Sequence, residues 1–308
     1  VNQSLSLPSF AKINWSLRIL GKRPDNFHEV RTTLQTISLH DRLTFELSGE
    51  QVALSCNEPE IPTDDRNLIV RAAHALRDRY SIAKGARIQL EKNIPAQAGL
   101  GGGSSNAAIT LLALVHLWQI DASASDLNAV AAGIGADVPF FLSGGSMLAT
   151  GTGTTLSPLP DSGVHSLIVI APSVGVSTRD AYTSLGAASL TTLTSEFILS
   201  SSQKAGISGD SHPWLRDDFT NDFESAIFDI HSEIRRAKEV LLAAGASAAL
   251  LTGSGSSVFG VFADHKSQQQ ALEKIECEPG WRIFPCVTVS RNEYRHAIGD
   301  ELFRSYAL

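Results

Sequence analysis

The chain has 308 residues, 43% apolar and 19% charged, enough material for one large or two medium packed domains. Its 25 Lys and Arg against 32 Asp and Glu give a net charge of −7, which argues against a broad nucleic-acid or anionic-membrane surface but leaves room for small anionic ligands at a local basic cluster. Cys56, Cys277 and Cys286 form neither a disulfide framework nor a zinc spacing, and no apolar run is long enough for a bilayer. Val1 to Ser6 reads as neither a signal nor a transit peptide, so a cytoplasmic enzyme is expected.

In chain order, Ile13, Trp15, Leu17 and Ile19 alternate with Lys12, Asn14, Ser16 and Arg18, which predicts a strand with one polar face. Lys12 and Asn14 then share that face, about 7 Å apart. Pro24-Asp25-Asn26 marks a turn. Leu43, Phe45 and Leu47 predict a second strand, Ile69 to Leu76 a helix, and Ile88 with Leu90 a third strand. An apolar helix runs from about Ser105 to Trp118 and should be buried all round. Leu127 to Ile134 reads as a helix opened by a Ser123/Asp126 capping box and ended at Gly133 or Gly135. Ser166 to Ala171 is a buried strand, and the polar stretch Gly186 to Pro213 a mobile surface segment. A long amphipathic helix carries Ile227, Ile230, Ile234 and Leu241. Strands at Ala248–Leu251 and Val258–Phe262 flank a second glycine-serine turn, and a helix at Gln268–Ile275 precedes a strand at Cys286–Ser290. Strands and helices without strict alternation predict an α+β fold. Pro158 and Pro160 place a boundary near 160, giving domains 1–160 and 161–308.

The most specific chemical signal is Pro95-Ala96-Gln97-Ala98-Gly99-Leu100-Gly101-Gly102-Gly103-Ser104-Ser105-Asn106. Its glycines allow the backbone to approach a bulky anion, and the following helix offers unpaired N–H groups and a positive dipole end. Ser104, Ser105 and Asn106 are suited to cap that helix and to donate to phosphate oxygens. A side chain at Gly101 should crowd those oxygens. The Walker A pattern is excluded, because no lysine stands between Asn93 and Trp118. The dinucleotide fingerprint is excluded by the missing third glycine and the absence of a following acidic strand end.

Three segments stand out together: Pro8 to His28, the glycine loop, and Leu251-Thr252-Gly253-Ser254-Gly255-Ser256-Ser257-Val258-Phe259-Gly260. Their order and spacing resemble the galactokinase–homoserine–mevalonate–phosphomevalonate (GHMP) kinase superfamily. The Gly21-Lys22-Arg23-Pro24-Asp25 turn with Phe27-His28, the run Gly135-Ala136-Asp137-Val138-Pro139, and Asn221-Asp222-Phe223-Glu224 point to its branch with a diphosphocytidyl-methylerythritol acceptor. The similarity runs from about Pro8 to Tyr294. Asn26 and Phe27 depart from it, since the family has glycine and commonly tyrosine there.

The resemblance implies a ribosomal-S5-like N-terminal domain, a ferredoxin-like C-terminal domain and an active site in the cleft between them. It implies ATP with Mg²⁺, the phosphates lying on Ala96 to Asn106 and Asn67 and Lys92 near the adenine. On the residues alone, Asn67 reads as a helix cap and Lys92 as a solvated strand-end lysine. Asp137 reads as a loop carboxylate accepting backbone N–H groups, and Lys12 as a solvated lysine. The resemblance makes Asp137 the catalytic base for the 2-hydroxyl of the acceptor and Lys12 its electrostatic partner. Asn14 would hydrogen-bond the polyol. Phe27, otherwise a core residue, would stack on cytosine, and His28, otherwise a surface histidine, would read it. Thr178 and the turn Gly253, Ser254 and Gly255, either a plain hairpin or a phosphate lid, would lie on the substrate side. Partners would be small molecules, without nucleic acid or membrane, and the chain a monomer or weak homodimer. A mevalonate or homoserine kinase, a decarboxylase of the superfamily, and a nucleotide sensor are the alternatives.

Overall fold

The computed structural model describes residues 4–185 and 219–303. The stretch Gly186 to Pro213 lies outside the described residues.

The first strand is longer than its alternation predicts. β1 (Ser4–Lys22) pairs antiparallel with β2 (His28–Ser48) through a turn in which Arg23 N–H donates to Phe27 O at 2.8 Å. Asn26 sits in that turn at φ 68, a left-handed backbone that asparagine tolerates. The register shifts between Asn14 and Ser16, a bulge of the kind that re-aims side chains beside active sites. The polar face of β1 is not solvated, for Lys12, Asn14 and Ser16 are all buried.

β2 is the spine of the first sheet, ordered β3-β4-β2-β5-β6 with β1 on the other edge of β2. The other strands are β3 (Val52–Cys56), β4 (Gly85–Glu91), β5 (Ser146–Thr150) and β6 (Thr155–Pro158). Helices α1 (Leu68–Tyr80), α2 (Gly102–Trp118) and α3 (Ala124–Ile134) share one hydrophobic core with this sheet. α2 is buried nearly all round, as expected. Half of the α3 capping box forms: Ser123 accepts Asp126 N–H at 3.1 Å, while the Asp126 carboxylate pairs with Arg79 at 2.6 Å.

The chain then enters a second, antiparallel sheet, ordered β10-β7-β9-β8: β7 (Ser166–Ala171), β8 (Ala248–Leu251), β9 (Val258–Phe262) and β10 (Arg282–Val287). β10 begins earlier than predicted. It is an edge strand, which tolerates the missing N–H of Pro285, while Ser290 leaves the sheet to cap the next helix. The long amphipathic helix is two, α6 (Glu224–Ile230) and α7 (Ser232–Ala243), broken at His231 (φ −123, ψ 82). Ile230 is consequently 59% exposed, not core. α4 (Val138–Phe141) precedes β5, α5 (Thr178–Ser184) follows β7, and α8 (His265–Lys274) follows β9. A third core, with Ile13, Trp15, Val169, Leu250 and Phe259, joins the two sheets across β1.

The helix α9 (Arg291–Ile298) returns to the first core. There the buried Tyr294 hydroxyl donates to Phe141 O, at the end of α4. Tyr294→Phe should therefore cost about 1–2 kcal/mol by leaving that carbonyl unpaired. Urea unfolding of the two proteins measures it, and equal stabilities would show that the bond contributes nothing.

Candidate active site

A cleft of about 1710 Å³ lies where the glycine loop, β1 and the turns of the second sheet meet. At one end α2 opens at Gly101 (φ 71) with no side-chain cap. Its first intrahelical bond is Ser105 N–H to Gly101 O at 2.9 Å, so the N–H groups of Gly102, Gly103 and Ser104 have no partner within the helix. Such a helix start binds anions. Ser105 and Asn106 do not cap it. Ser105 Oγ accepts Ser9 Oγ–H at 2.8 Å and Asn106 Nδ2 donates to Asp41 Oδ2 at 3.0 Å, both away from the helix N–H groups.

Asp41 is fully buried beneath this loop. Its Oδ1 accepts Asn93 and Ile94 N–H, each at 2.7 Å, and its Oδ2 accepts Lys92 Nζ at 2.7 Å. Lys92, which also donates to Ile94 O, is thus a buried member of an ion pair and not a solvated lysine. Burial lowers its pKa and Asp41 opposes that shift.

At the centre stands Lys12, 4% exposed. Its Nζ donates to Asn14 Oδ1 at 2.7 Å and lies 3.8 Å from Asp137 Oδ2. Burial lowers its pKa, and the Asp137 carboxylate pulls the other way. Asp137 precedes α4, caps nothing with its side chain, and is 39% exposed to the cleft. It is not a loop carboxylate tied up by backbone N–H groups. Asn14 is a hub: Oδ1 also accepts Gly253 N–H at 2.9 Å, and Nδ2 donates to Thr32 Oγ1 at 2.7 Å. One Nδ2 hydrogen remains for a ligand.

The far end is aromatic. His28 stacks on Tyr182 with ring centres 4.4 Å apart and planes 14° apart. Burial, then Lys22, lowers the His28 pKa, so the ring is neutral at pH 7. Phe27 is 63% exposed on the rim, where a core residue would not be. Thr178 opens α5 and reaches Ser254 Oγ at 3.4 Å.

Residues 67–145 match the family described as GHMP kinases N terminal domain, and residues 205–280 match GHMP kinases C terminal. The 4-diphosphocytidyl-2-C-methyl-D-erythritol kinase of Prosthecochloris aestuarii is 41% identical over 92% of this chain and 98% of its own. The chain belongs to the 4-diphosphocytidyl-2-C-methyl-D-erythritol kinase family. A kinase of the same name from Caldanaerobacter subterraneus is 34% identical over 93% of this chain and 96% of its own. A crystal structure of 4-(cytidine 5'-diphospho)-2C-methyl-D-erythritol kinase superposes with TM-score 0.73 at 30% identity, over 93% of this chain and all (100%) of that one. Homoserine kinase from Cytophaga hutchinsonii, at 18% identity and TM-score 0.69 over 93% of this chain and 95% of its own, shares the fold.

For this kinase the structure brings nearly all the sequence-predicted residues to the cleft, including Asn67, which also caps α1 by accepting Ile69 N–H at 2.9 Å. Ser105 and Gly255 stand outside its lining. Ser105 is buried against Ser9, and a side chain at Gly255 would face Leu251, Ile227 and Val176. The second glycine turn is a hairpin between β8 and β9 that also packs on the first glycine loop, Thr252 Oγ1 reaching Gly99 O at 3.3 Å. The structure gives a reason of its own for Gly101: a Cβ there would come 2.9 Å from Phe141 Cζ and 3.0 Å from Lys12 Cγ. Sequence reasoning missed Asp41 and Tyr182. Tyr182 lies four positions after Thr178 on α5, a spacing that places both on one helix face.

Because Lys12 is buried as a cation at a cost, Lys12→Met should stabilise the fold at pH 7 by about 1 kcal/mol or more. Folding with a lowered lysine pKa releases protons, so the wild-type penalty shrinks as pH rises through the lowered value towards 10.5. The advantage of Lys12→Met in urea should be smaller at pH 10 than at pH 7. A variant less stable than wild type at pH 7 would contradict this.

Proposed function

We infer that this cleft carries out ATP-dependent phosphorylation of the 2-hydroxyl of 4-diphosphocytidyl-2-C-methyl-D-erythritol, giving the 2-phosphate and ADP, in the non-mevalonate route to isoprenoid precursors. The observation that carries the reading is the buried Lys12 ammonium 3.8 Å from a part-exposed Asp137 carboxylate, beside the uncapped start of α2. Asp137 takes the proton of the 2-hydroxyl as its oxygen attacks the γ-phosphorus, and the bond to the ADP oxygen breaks. Lys12 keeps Asp137 ionised and offsets negative charge on the attacking oxygen. Transfer of this kind depends chiefly on alignment and charge neutralisation.

The phosphates lie on Ala96 to Ser104, and Asn67 and Lys92 border the adenine. Asn14 meets the polyol through its remaining N–H, with Thr178, Gly253 and Ser254 alongside. Phe27, His28 and Tyr182 hold the cytosine. Ser104 and Asp137, hard oxygen donors that both line the cleft, would hold Mg²⁺ together with the phosphates. Bound with ATP, it would neutralise phosphate charge. Residues 1–160 and 161–308 serve as the two domains whose cleft this is, with α9 of the second crossing back to pack in the first core. Among the described residues no helix is long and apolar enough to cross a membrane. The enzyme acts on small molecules as a cytoplasmic monomer or weak homodimer.

ADP release with Mg-ATP should depend on the cytidyl acceptor, and mevalonate, homoserine or methylerythritol 4-phosphate should not replace it. Asp137→Asn should lower kcat about a hundredfold or more and leave ATP binding nearly intact. Turnover with another acceptor would overturn the aromatic pocket, and an unchanged kcat would remove Asp137 from the mechanism. Gly103→Ala tests the loop. A methyl there meets only Leu68 Cδ1, at 3.7 Å, so the fold accommodates it. Helix propensity should even rise by about 1 kcal/mol. The KM for ATP should increase at unchanged or greater stability; an unaltered KM would move the phosphates elsewhere.

A further inference from the structure

The motif Asn221-Asp222-Phe223-Glu224 has no part in the reaction just described, yet it is tied to the reacting end of the cleft. Asn221 is buried, and its Nδ2 donates to Leu251 O and Gly253 O, each at 2.8 Å. Its Oδ1 accepts Phe223 N–H at 3.0 Å, so the whole amide is engaged. The two carbonyls bracket Thr252. Thr252 Oγ1 lies 3.2 Å from Asn14 Oδ1 and accepts Asn14 N–H at 3.2 Å, while Gly253 N–H donates to Asn14 Oδ1 at 2.9 Å. That same oxygen accepts Lys12 Nζ at 2.7 Å.

The neighbouring residues anchor the clamp. The Asp222 carboxylate accepts Ile19 N–H at 2.7 Å and Asp222 N–H donates to Leu17 O at 3.0 Å, which fixes the segment to β1. Glu224 accepts Leu251 N–H at 2.9 Å and pairs with Lys238 at 2.8 Å. Gly253 itself is in the left-handed region, φ 58, and has no side chain to hold it. Its position is therefore set by its hydrogen bonds.

We propose that Asn221 is a positioning residue for phosphoryl transfer: it fixes the Thr252–Gly253 turn, the turn orients Asn14, and Asn14 holds the Lys12 ammonium beside Asp137. The proposal rests on the role given to Lys12 above.

The test is a double-mutant cycle of Asn14→Ala and Asn221→Ala, read as kcat and as KM for ATP and for the cytidyl acceptor. Asn221→Ala should lower kcat about tenfold or more with the KM for ATP within about twofold, since small misplacements of a reacting group carry such penalties. In the Asn14→Ala background it should cost no more, because the path through Asn14 is already cut. Unchanged kcat in Asn221→Ala, or losses that multiply in the double variant, would overturn the proposal. If Asn221→Ala does not fold, Asn221→Ser, which keeps one hydroxyl donor, carries the same cycle. Lys12→Met is assayed alongside. Retained kcat there would overturn the lysine's role itself, whereas lost kcat with multiplying asparagine losses would overturn only the part given to Asn221.

Discussion

The structure turns on keeping one ammonium group charged where there is almost no water. Lys12 is buried on a strand, and burial alone would favour its neutral form. Two groups oppose that: a neutral acceptor at 2.7 Å, Asn14, and a carboxylate at 3.8 Å, Asp137. The difference in distance matters. Asn14 holds the ammonium in place, while Asp137 lies beyond hydrogen-bond range and keeps its oxygens for another partner. The β-bulge after Asn14, the second glycine turn and the Phe141 ring under Gly101 all shape this one pocket.

The cleft contains a second buried lysine, and the contrast is instructive. Lys92 is in full contact with Asp41, whose two oxygens accept four donors, three from the loop after β4 and one from α2. That pair is closed. It ties the glycine loop to the sheet, as a buried carboxylate can when every lone-pair direction is met. Lys12 and Asp137 are the open version of the same chemistry. One pair fixes the glycine loop and the other faces the cleft.

Periodicity made most of the fold legible. The strand at Ser166–Ala171 and the hairpin strands at Ala248–Leu251 and Val258–Phe262 appear with the predicted limits, because short apolar runs there are bounded by turn residues. The failures share a cause. Lys12, Asn14 and Lys92 look solvated in sequence, and only tertiary packing buries them. Ile230 fits an amphipathic helix until His231 breaks it. Asp41 sits in a polar stretch of β2, and nothing local shows that α2 will cover it. Ser105 and Asn106 have capping chemistry, but the helix starts at Gly102, one turn too early for them to cap it. Local pattern identified the residue types at the cleft; which atoms each one meets is decided by partners far along the chain.

That distance has a consequence for how the enzyme comes into being. The contact from Tyr294 to Phe141 spans 153 positions, and Asn221 reaches back to support a turn beside Asn14. A nascent polypeptide that has completed only the first sheet and its helices lacks the second glycine turn, and the short helix behind Asp137 lacks its backing. The cleft is thus complete only when nearly the whole chain is present. Contacts so distant in sequence form more slowly than local ones, and they bind the two halves of the chain into one folded unit.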